Sequence, residues 1–147
     1  KKVFNFKFED PSNKNINFKR IRIRNLIQNL KSEGLDLEKL RLTISNLSDS
    51  NLTINHYVSQ NIKCNSKYNA KKRNYILNSD FFNQPHEIVF RSLTNLLKKI
   101  GNKYYSPRGK SISQLLRKLG SGEIKKINIS GCILEKINNS FVIYKEK

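Results

Sequence analysis

The chain has 147 residues, the size of one ordinary domain, which argues against a two-domain enzyme with its own complete nucleotide-binding fold. Its 29 Lys and Arg residues against 11 Asp and Glu residues give a net charge of +18, so polyanions are the expected partners. Because 37% of the residues are hydrophobic, the chain can also bury a core, which excludes a disordered basic tail.

Several classes of site and location can be set aside. No apolar run approaches the roughly 18 residues that span a bilayer, and the N-terminus has no signal-peptide pattern, so we expect a soluble, cytoplasmic protein with no membrane partner. Cys64 and Cys132 are far apart, with only His56 and His86 as companions, so neither a disulfide framework nor a metal site is predicted. The chain begins at Lys1 and contains no Met, so we expect it to be a segment of a longer protein.

The first third predicts a strand, a turn and a helix. Phenylalanines alternate with polar residues from Phe4 to Phe8, which is typical of a short strand. Residues 9–13, Glu-Asp-Pro-Ser-Asn, predict a turn, because Asp, Pro, Ser and Asn each favour turns. Apolar side chains then recur at helical spacing, so we expect a helix over residues 18–33 that ends at Gly34.

A long amphipathic helix is predicted over residues 36–61. Its apolar positions follow three-four spacing, interrupted only by Asn51: Leu37, Leu40, Ile44, Leu47, Ile54 and Val58. This spacing favours a helix that faces the core. The near-heptad pattern also permits a dimerisation seam, which stays the alternative.

The second half predicts short strands around two more helices. We expect a strand near Tyr75–Leu77. A helix should follow with Pro85 at its first position and end at Gly101. Another helix should begin at Ser106-Pro107 or at Ser111 and end at Gly120. Three strands should follow, over about residues 124–129, 132–137 and 141–144.

Together the predicted elements define an α+β, mostly helical fold. Long N-terminal helices precede a small helical domain with a C-terminal antiparallel hairpin or three-stranded sheet. We expect residues 1–35 to form a connecting strand, turn and arginine-rich helix. Residues 36–147 should form a long helix followed by an α+β domain.

Three arginines, Arg20, Arg22 and Arg24, alternate at the entrance of the first helix. On a helix Arg20 and Arg24 share a face and Arg22 points elsewhere. One interpretation is solvated surface charge. The other is a phosphate-binding set, because guanidinium groups bind phosphate in a bidentate manner and a helix N-terminus adds partial positive charge.

A second basic group surrounds two adjacent tyrosines in the second half of the chain. Its members are Arg91, Lys98, Lys99, Lys103, Tyr104, Tyr105, Arg108, Lys110, Arg117 and Lys118. Cations that follow a phosphate backbone, together with rings that stack on unpaired bases, suit RNA. The alternative is that Tyr104 and Tyr105 form the core and rim of a helix junction.

Catalytic chemistry has little support in these residues. The stretch Gly109-Lys110-Ser111 lacks the upstream glycine and the preceding strand of a phosphate-binding loop, and no arrangement of Ser, Cys, His and Asp suggests a nucleophile. The adjacent Glu9 and Asp10 are typical of a turn and cap, with a direct substrate or metal role as the alternative.

The turn and the arginine helix together resemble a known family. Glu9-Asp10-Pro11-Ser12-Asn13, followed by Phe18-x-Arg20-x-Arg22-Ile23-Arg24, resembles the segment after the ATP-binding domain of bacterial tRNA(Ile)-lysidine synthetases. The later elements agree in order, so the resemblance covers nearly the whole chain. That family uses ATP to activate C2 of the wobble cytidine in a tRNA(Ile) with a CAU anticodon and joins lysine there.

The resemblance implies a substrate-binding role without catalytic residues in this segment. The cleft-adjacent residues would be Asp10, Ser12, Asn13, Arg20, Arg22 and Arg24. The tRNA-binding residues would be Arg91, Lys98, Lys99, Tyr104, Arg108, Lys110, Arg117 and Lys118. ATP, with Mg, would bind an absent N-terminal domain that carries an SGGxDS-like loop, because no Ser-Gly-Gly stretch occurs here.

The resemblance therefore predicts tRNA(Ile) as the direct partner, with lysine and ATP reached through the parent enzyme. The segment should bind no cofactor and should be inactive alone. A free-standing RNA- or DNA-binding module without catalysis is the alternative, because charge and aromatic content suit it equally well.

Overall fold

The computed structural model of the chain describes residues 16–122 and 125–146. The helices are α1 (Lys19–Ser32), α2 (Leu37–Asn65), α3 (His86–Gly101) and α4 (Gly109–Gly120), with a 3-10 turn at Ser79–Phe81. The strands are β1 (Ser66–Asn69), β2 (Asn74–Leu77), β3 (Lys126–Ile129), β4 (Cys132–Ile137) and β5 (Ser140–Lys145). They form one antiparallel sheet in the order β1-β2-β5-β4-β3. The predicted α+β, mostly helical class is confirmed.

The chain divides into two compact units, Lys1–Ser48 and Asp49–Lys147. The predicted division after residue 35 lies in the loop between α1 and α2, whereas the two units divide within α2. The predicted strand at Phe4–Phe8 and the turn over residues 9–13 lie outside the described residues. None of the described helices is both long enough and apolar enough to cross a membrane.

The first unit contains α1 and the beginning of α2. Gly34 ends α1 with a φ of 99°, a left-handed conformation that glycine adopts without strain. Asp36 then caps α2, because its Oδ1 accepts hydrogen bonds from the backbone N–H groups of Glu38 (2.9 Å) and Lys39 (3.2 Å). The ends of α1 and the start of α2 therefore agree with the prediction to within one residue, whereas α2 continues to Asn65, four residues beyond its predicted end.

The prediction that the first half of α2 packs on the core is wrong. Leu40, Ile44 and Leu47 are 42%, 58% and 65% exposed. Along this helix only Val58 and Asn61 are buried, each with an exposed fraction of 3%. Amphipathic spacing establishes that a helix has an apolar face, but it does not establish that another element covers that face.

The core of the second unit lies between the sheet and the pair α3 and α4. One face of the sheet contributes alternate residues of its strands to this core, and α3 packs on that face while α4 packs on α3. The fully buried members are Leu77, Phe81, Leu93, Leu96, Leu97, Ile112, Leu115, Cys132, Leu134 and Ile143. The buried residues of α3 and α4 recur three or four positions apart, so each helix presents one apolar face to the core.

The ends of α3 differ by one residue from the prediction. Pro85 is the N-cap rather than the first helical residue, because its ψ of 142° is extended while its carbonyl accepts from the N–H groups of Ile88 and Val89. At the other end Gly101 is still helical, and Asn102 takes the left-handed conformation with a φ of 48°. Gly101 packs closely on the sheet, since an added Cβ would lie 3.4 Å from the Cys132 Sγ, at the short end of ordinary van der Waals contact.

The three predicted C-terminal strands are present, and the sheet extends beyond them. β5 pairs with β4 on one edge and with β2 on the other, so the chain segment between α2 and α3 supplies the last two strands, β2 and β1. The strand expected near Tyr75–Leu77 is confirmed as β2. β1 was not predicted, because Ser66–Asn69 has no alternating hydrophobic pattern.

Candidate nucleic-acid interface

All three arginines of α1 are exposed, but their surroundings differ. The Nη1 of Arg22 donates hydrogen bonds to the backbone carbonyls of Ile16 (3.0 Å) and Asn17 (2.9 Å), which ties the guanidinium to the turn before the helix. Arg24 makes no comparable bond to another described residue. Arg22 therefore has a local structural role that its sequence spacing does not indicate.

The remaining residues of the predicted cleft-adjacent set are less fully described. The Arg20 guanidinium lies over the Phe18 ring, 5.3 Å from its centroid, in a cation–π contact. Asp10, Ser12 and Asn13 lie outside the described residues. Their proposed place beside a catalytic cleft stays a prediction.

Three lysines meet at the C-terminal end of α3. Lys98, Lys99 and Lys103, with Asn95 and Asn102, line a shallow depression of about 400 Å³. The sequence analysis names Lys98 and Lys99 as tRNA-binding residues and includes Lys103 in the same basic group, and the structure adds the side-chain amides of Asn95 and Asn102. We call these five residues the α3 basic patch. Lysines in a last helical turn also complement the helix dipole, so part of their role is structural.

Lys99 of the α3 basic patch is held against an aromatic ring of the sheet. Its Nζ lies 5.7 Å from the centroid of Tyr75, a side chain that is 7% exposed. Its interaction with the Tyr75 hydroxyl raises the pKa of Lys99. The contact fixes the direction of one positive charge on the patch.

The two tyrosines that follow the α3 basic patch are exposed. Tyr104 is 84% and Tyr105 is 79% exposed, and their rings form a T-shaped pair with centroids 4.9 Å apart. The alternative that they form the core and rim of a helix junction is therefore wrong. Rings with this much free surface can stack on bases.

Arg91 is less available than its sequence position suggests. Its Nε lies 2.6 Å from Oε1 of Glu87, and its Nη1 donates a hydrogen bond to Oδ1 of Asn51, also at 2.6 Å. These contacts join α3 to α2 and neutralise the guanidinium locally. Of the predicted tRNA-binding residues, it has the clearest structural role.

The basic residues of α4 are exposed on the side away from the core. Ile112 and Leu115 define the buried face, so Lys110 and Arg117, seven positions apart, lie together on the opposite face. Arg108 is the N-cap of α4: its carbonyl accepts hydrogen bonds from the N–H groups of Ser111 and Ile112, and its side chain is exposed. Lys118 is also exposed.

The described residues contain no candidate metal centre, since no three His, Cys, Asp or Glu side chains come together. Cys64 is exposed and Cys132 is buried. Burial raises the pKa of the Cys132 thiol, which opposes formation of a nucleophilic thiolate. What the described surface offers is positive charge and exposed rings.

Comparison with known proteins shows one recurring similarity. No family model and no solved structure matches the sequence. Curated tRNA(Ile)-lysidine synthases are 28% identical over 141 residues in Wolbachia sp. subsp. Brugia malayi (strain TRS), 26% over 141 residues in Wolbachia pipientis wMel, and 27% over 140 residues in Anaplasma marginale (strain St. Maries).

Each of these matches covers 94% of this chain but only 32%, 32% and 30% of the respective relative. The chain thus spans about a third of the length of the curated relatives that it matches. The resemblance predicted from the turn and the arginine helix is confirmed: over nearly its whole length, this chain is similar to tRNA(Ile)-lysidine synthases.

Proposed function

We propose that this chain is the tRNA-binding portion of an ATP-dependent tRNA(Ile)-lysidine synthetase. The observation that carries the proposal is the match to three tRNA(Ile)-lysidine synthases over 94% of the chain. The whole enzyme would join lysine to C2 of the wobble cytidine of a CAU anticodon. This segment would hold the tRNA while an ATP-binding domain elsewhere in the protein performs the chemistry.

The charge of the chain supports a tRNA partner. A net charge of +18 attracts a polyanion, and neutralising phosphates with Lys and Arg releases condensed counterions, which drives binding. The α3 basic patch supplies three lysines from one helix end, and the exposed face of α4 adds Lys110 and Arg117. This arrangement suits contact with a phosphate backbone at several points.

Tyr104 and Tyr105 add a feature that non-specific electrostatic binding does not require. Both rings are exposed beside Lys103, so they can stack on bases that tRNA loops leave unpaired. We propose that Tyr104 marks the point where the basic surface meets an unpaired part of the tRNA.

Catalysis is assigned to a part of the enzyme outside this chain. The sequence contains no Ser-Gly-Gly stretch that could form the family's ATP loop. We expect no pyrophosphate release when the isolated chain is incubated with ATP, Mg, lysine and tRNA(Ile). Turnover under these conditions would contradict the proposed division of labour.

The binding proposal is tested by fluorescence anisotropy with labelled tRNA(Ile) across a salt series. Replacing Lys98 and Lys103 by Ala should lower the slope of log K against log salt by about 0.9 for each lost phosphate contact with duplex RNA. Lys39→Ala is the matched control, because Lys39 is an exposed lysine outside the patch and is paired with Asp36 at 3.8 Å. Equal slopes for the parent chain, the variant with both Lys98 and Lys103 replaced and the Lys39→Ala control would refute a role for the α3 basic patch in tRNA binding.

Competition separates the lysidine proposal from a general RNA- or DNA-binding module. Unlabelled tRNA(Ile) with a CAU anticodon and elongator tRNA(Met), which shares that anticodon, are compared as competitors. Stronger displacement by tRNA(Ile) supports the lysidine proposal. Equal displacement by both tRNAs supports the general module.

A further inference from the structure

The sheet has a second face, opposite the core, on which a groove of about 860 Å³ lies. Asn74 of β2, Tyr144 of β5 and Ile133 of β4 are register partners, so they form a row across three adjacent strands. All three side chains are half-buried and line the groove. This row is the floor of what we call the open-face groove.

Four cations surround this floor, and they come from three separate parts of the chain. Lys72 and Arg73 belong to the turn between β1 and β2, Lys126 starts β3, and Lys145 ends β5. All four are exposed. Glu146 also lines the groove, but its carboxylate accepts a hydrogen bond from the side-chain amide of Asn128. Four cations against the two carboxylates of Glu146 and Glu135, the latter bonded to Tyr144, leave the open-face groove with a net positive charge.

The aromatic ring on the floor is held in place by its hydroxyl group. The Tyr144 hydroxyl donates a hydrogen bond to Oε2 of Glu135 at 2.8 Å. Lys126 lines the same groove, and its interaction with the Tyr144 hydroxyl, together with the nearby Glu135 carboxylate, raises the pKa of the lysine. A fixed ring beside a cation is suited to stack on a planar heterocycle, because little side-chain freedom remains to be lost on binding.

A third feature of the floor is a hydrogen-bond acceptor that no described residue satisfies. The Asn74 Oδ1 atom is buried and has no hydrogen-bond partner among the described residues. Buried side-chain acceptors without a partner are rare in folded proteins and are unfavourable. The amino or imino group of a nucleobase is a donor of suitable size for this position.

We propose that the open-face groove binds one unpaired nucleotide of an RNA strand. The base stacks on Tyr144 and donates a hydrogen bond to Asn74, and the flanking phosphates lie against Lys72, Arg73 and Lys126. Ring, acceptor and cations together match a nucleotide, whereas an acidic peptide would use the cations alone. The inference rests on the proposed function for the source of the nucleotide, which would be tRNA, and it adds a binding site outside α3 and α4.

The test uses fluorescein-labelled RNA trinucleotides, with a 12-base-pair RNA duplex as comparison, and the full 147-residue chain. Tyr144→Ala should weaken trinucleotide binding about tenfold, the effect of losing one base–aromatic stack. Tyr144→Phe keeps the ring but loses the hydroxyl bond that orients it, so it should bind trinucleotides less tightly than the parent chain and more tightly than Tyr144→Ala. Tyr68→Ala is the matched control, because Tyr68 is a half-exposed tyrosine on the other face of the same sheet.

Two further variants test the polar contacts. Asn74→Ala should weaken trinucleotide binding about threefold, as expected for one net hydrogen bond. Lys126→Ala should lower the salt slope by about 0.7, the value for one phosphate contact in a single strand. Circular dichroism of every variant separates lost binding from lost folding, and the Tyr144→Phe result stands even if Tyr144→Ala does not fold.

The outcomes distinguish this inference from the proposed function. The nucleotide site is overturned if Tyr144→Ala binds trinucleotides as tightly as the parent chain does. It is also overturned if the parent chain binds trinucleotides no more tightly than it binds inorganic triphosphate. If tRNA still binds in that case, the proposed function survives. If trinucleotides bind through Tyr144 but tRNA does not bind at all, the proposed function fails and the groove remains a site for a single-stranded nucleotide.

Discussion

A buried polar cluster connects α3 to the end of α2, and its removal gives the sharpest stability test. The side-chain Nδ2 of Asn61 donates to the Phe81 carbonyl and to Ser92 Oγ, each at 3.2 Å. Its Oδ1 accepts from Asn65 Nδ2 at 2.9 Å. Asn61 is 3% exposed and Ser92 is fully buried, so water cannot replace these bonds without a change in packing.

We expect Asn61→Ala to lower the free energy of unfolding by about 2 to 4 kcal/mol. The main contribution is the buried Phe81 carbonyl, which loses its donor at a cost of about 1 to 3 kcal/mol. The bonds to Ser92 and Asn65 add less, because Ser92 keeps a contact with the carbonyl of Val58 at 3.5 Å and Asn65 is only half-buried. Ser92→Ala should cost about 1 kcal/mol.

The assay is urea unfolding followed by circular dichroism, with linear extrapolation to water. Asn55→Ala is the control, because Asn55 is an exposed residue on the same helix and its replacement should change stability by less than about 0.5 kcal/mol. A loss for Asn61→Ala equal to that of Asn55→Ala would refute the assignment of this cluster. A double variant at positions 61 and 92 should show non-additivity of about 0.5 to 1.5 kcal/mol.

Three further predictions follow from backbone, charge and burial. Gly131→Ala should lower the free energy of unfolding by about 1 kcal/mol in the same urea assay, because Gly131 has a φ of 73°, which an L side chain rarely adopts. An added Cβ would also lie 3.2 Å from the Nζ atom of Lys103. Arg24→Ala should reduce the slope of log K against log salt for tRNA binding by about one. Arg22→Ala should reduce it by less, because the Arg22 guanidinium already donates to backbone carbonyls. Anisotropy titrations that give equal slopes for the two variants would contradict this order. Ellman's reagent at pH 8 should modify the exposed Cys64 at once and the buried Cys132 only on unfolding. Burial raises the Cys132 pKa above its ordinary 9.0, so the reactive thiolate forms only as pH rises past that higher value. Rapid reaction of both thiols in the folded chain would show that Cys132 is accessible.

The helices could be predicted because the signals that define them are local. The helix predicted over residues 18–33 is observed at Lys19–Ser32, and glycine at position 34 ends it as expected. The apolar faces of α3 and α4 follow from residues three and four positions apart, which any α-helix places on one side. The errors at Pro85 and Gly101 are of one residue, since cap and first helical position differ only in backbone angles.

Exposure could not be predicted in the same way, because it depends on what another element covers. Leu40 and Leu47 have the spacing of core residues and are exposed, while Tyr104 could have been core and is among the most exposed side chains. Arg91 is similar: its charge is visible in the sequence, but its pairing with Asn51 requires α2 and α3 to be adjacent.

By itself, then, the sequence determined the helices, the three C-terminal strands, the positive charge and the resemblance to tRNA(Ile)-lysidine synthases, because each depends on neighbouring residues or on composition. Only the tertiary structure decided that β5 lies between β2 and β4. That strand order brings Arg73, Lys126 and Tyr144 around one groove although they are far apart in the chain. Strand pairing between distant segments depends on the shared core of the sheet and helices, and no local pattern specifies it.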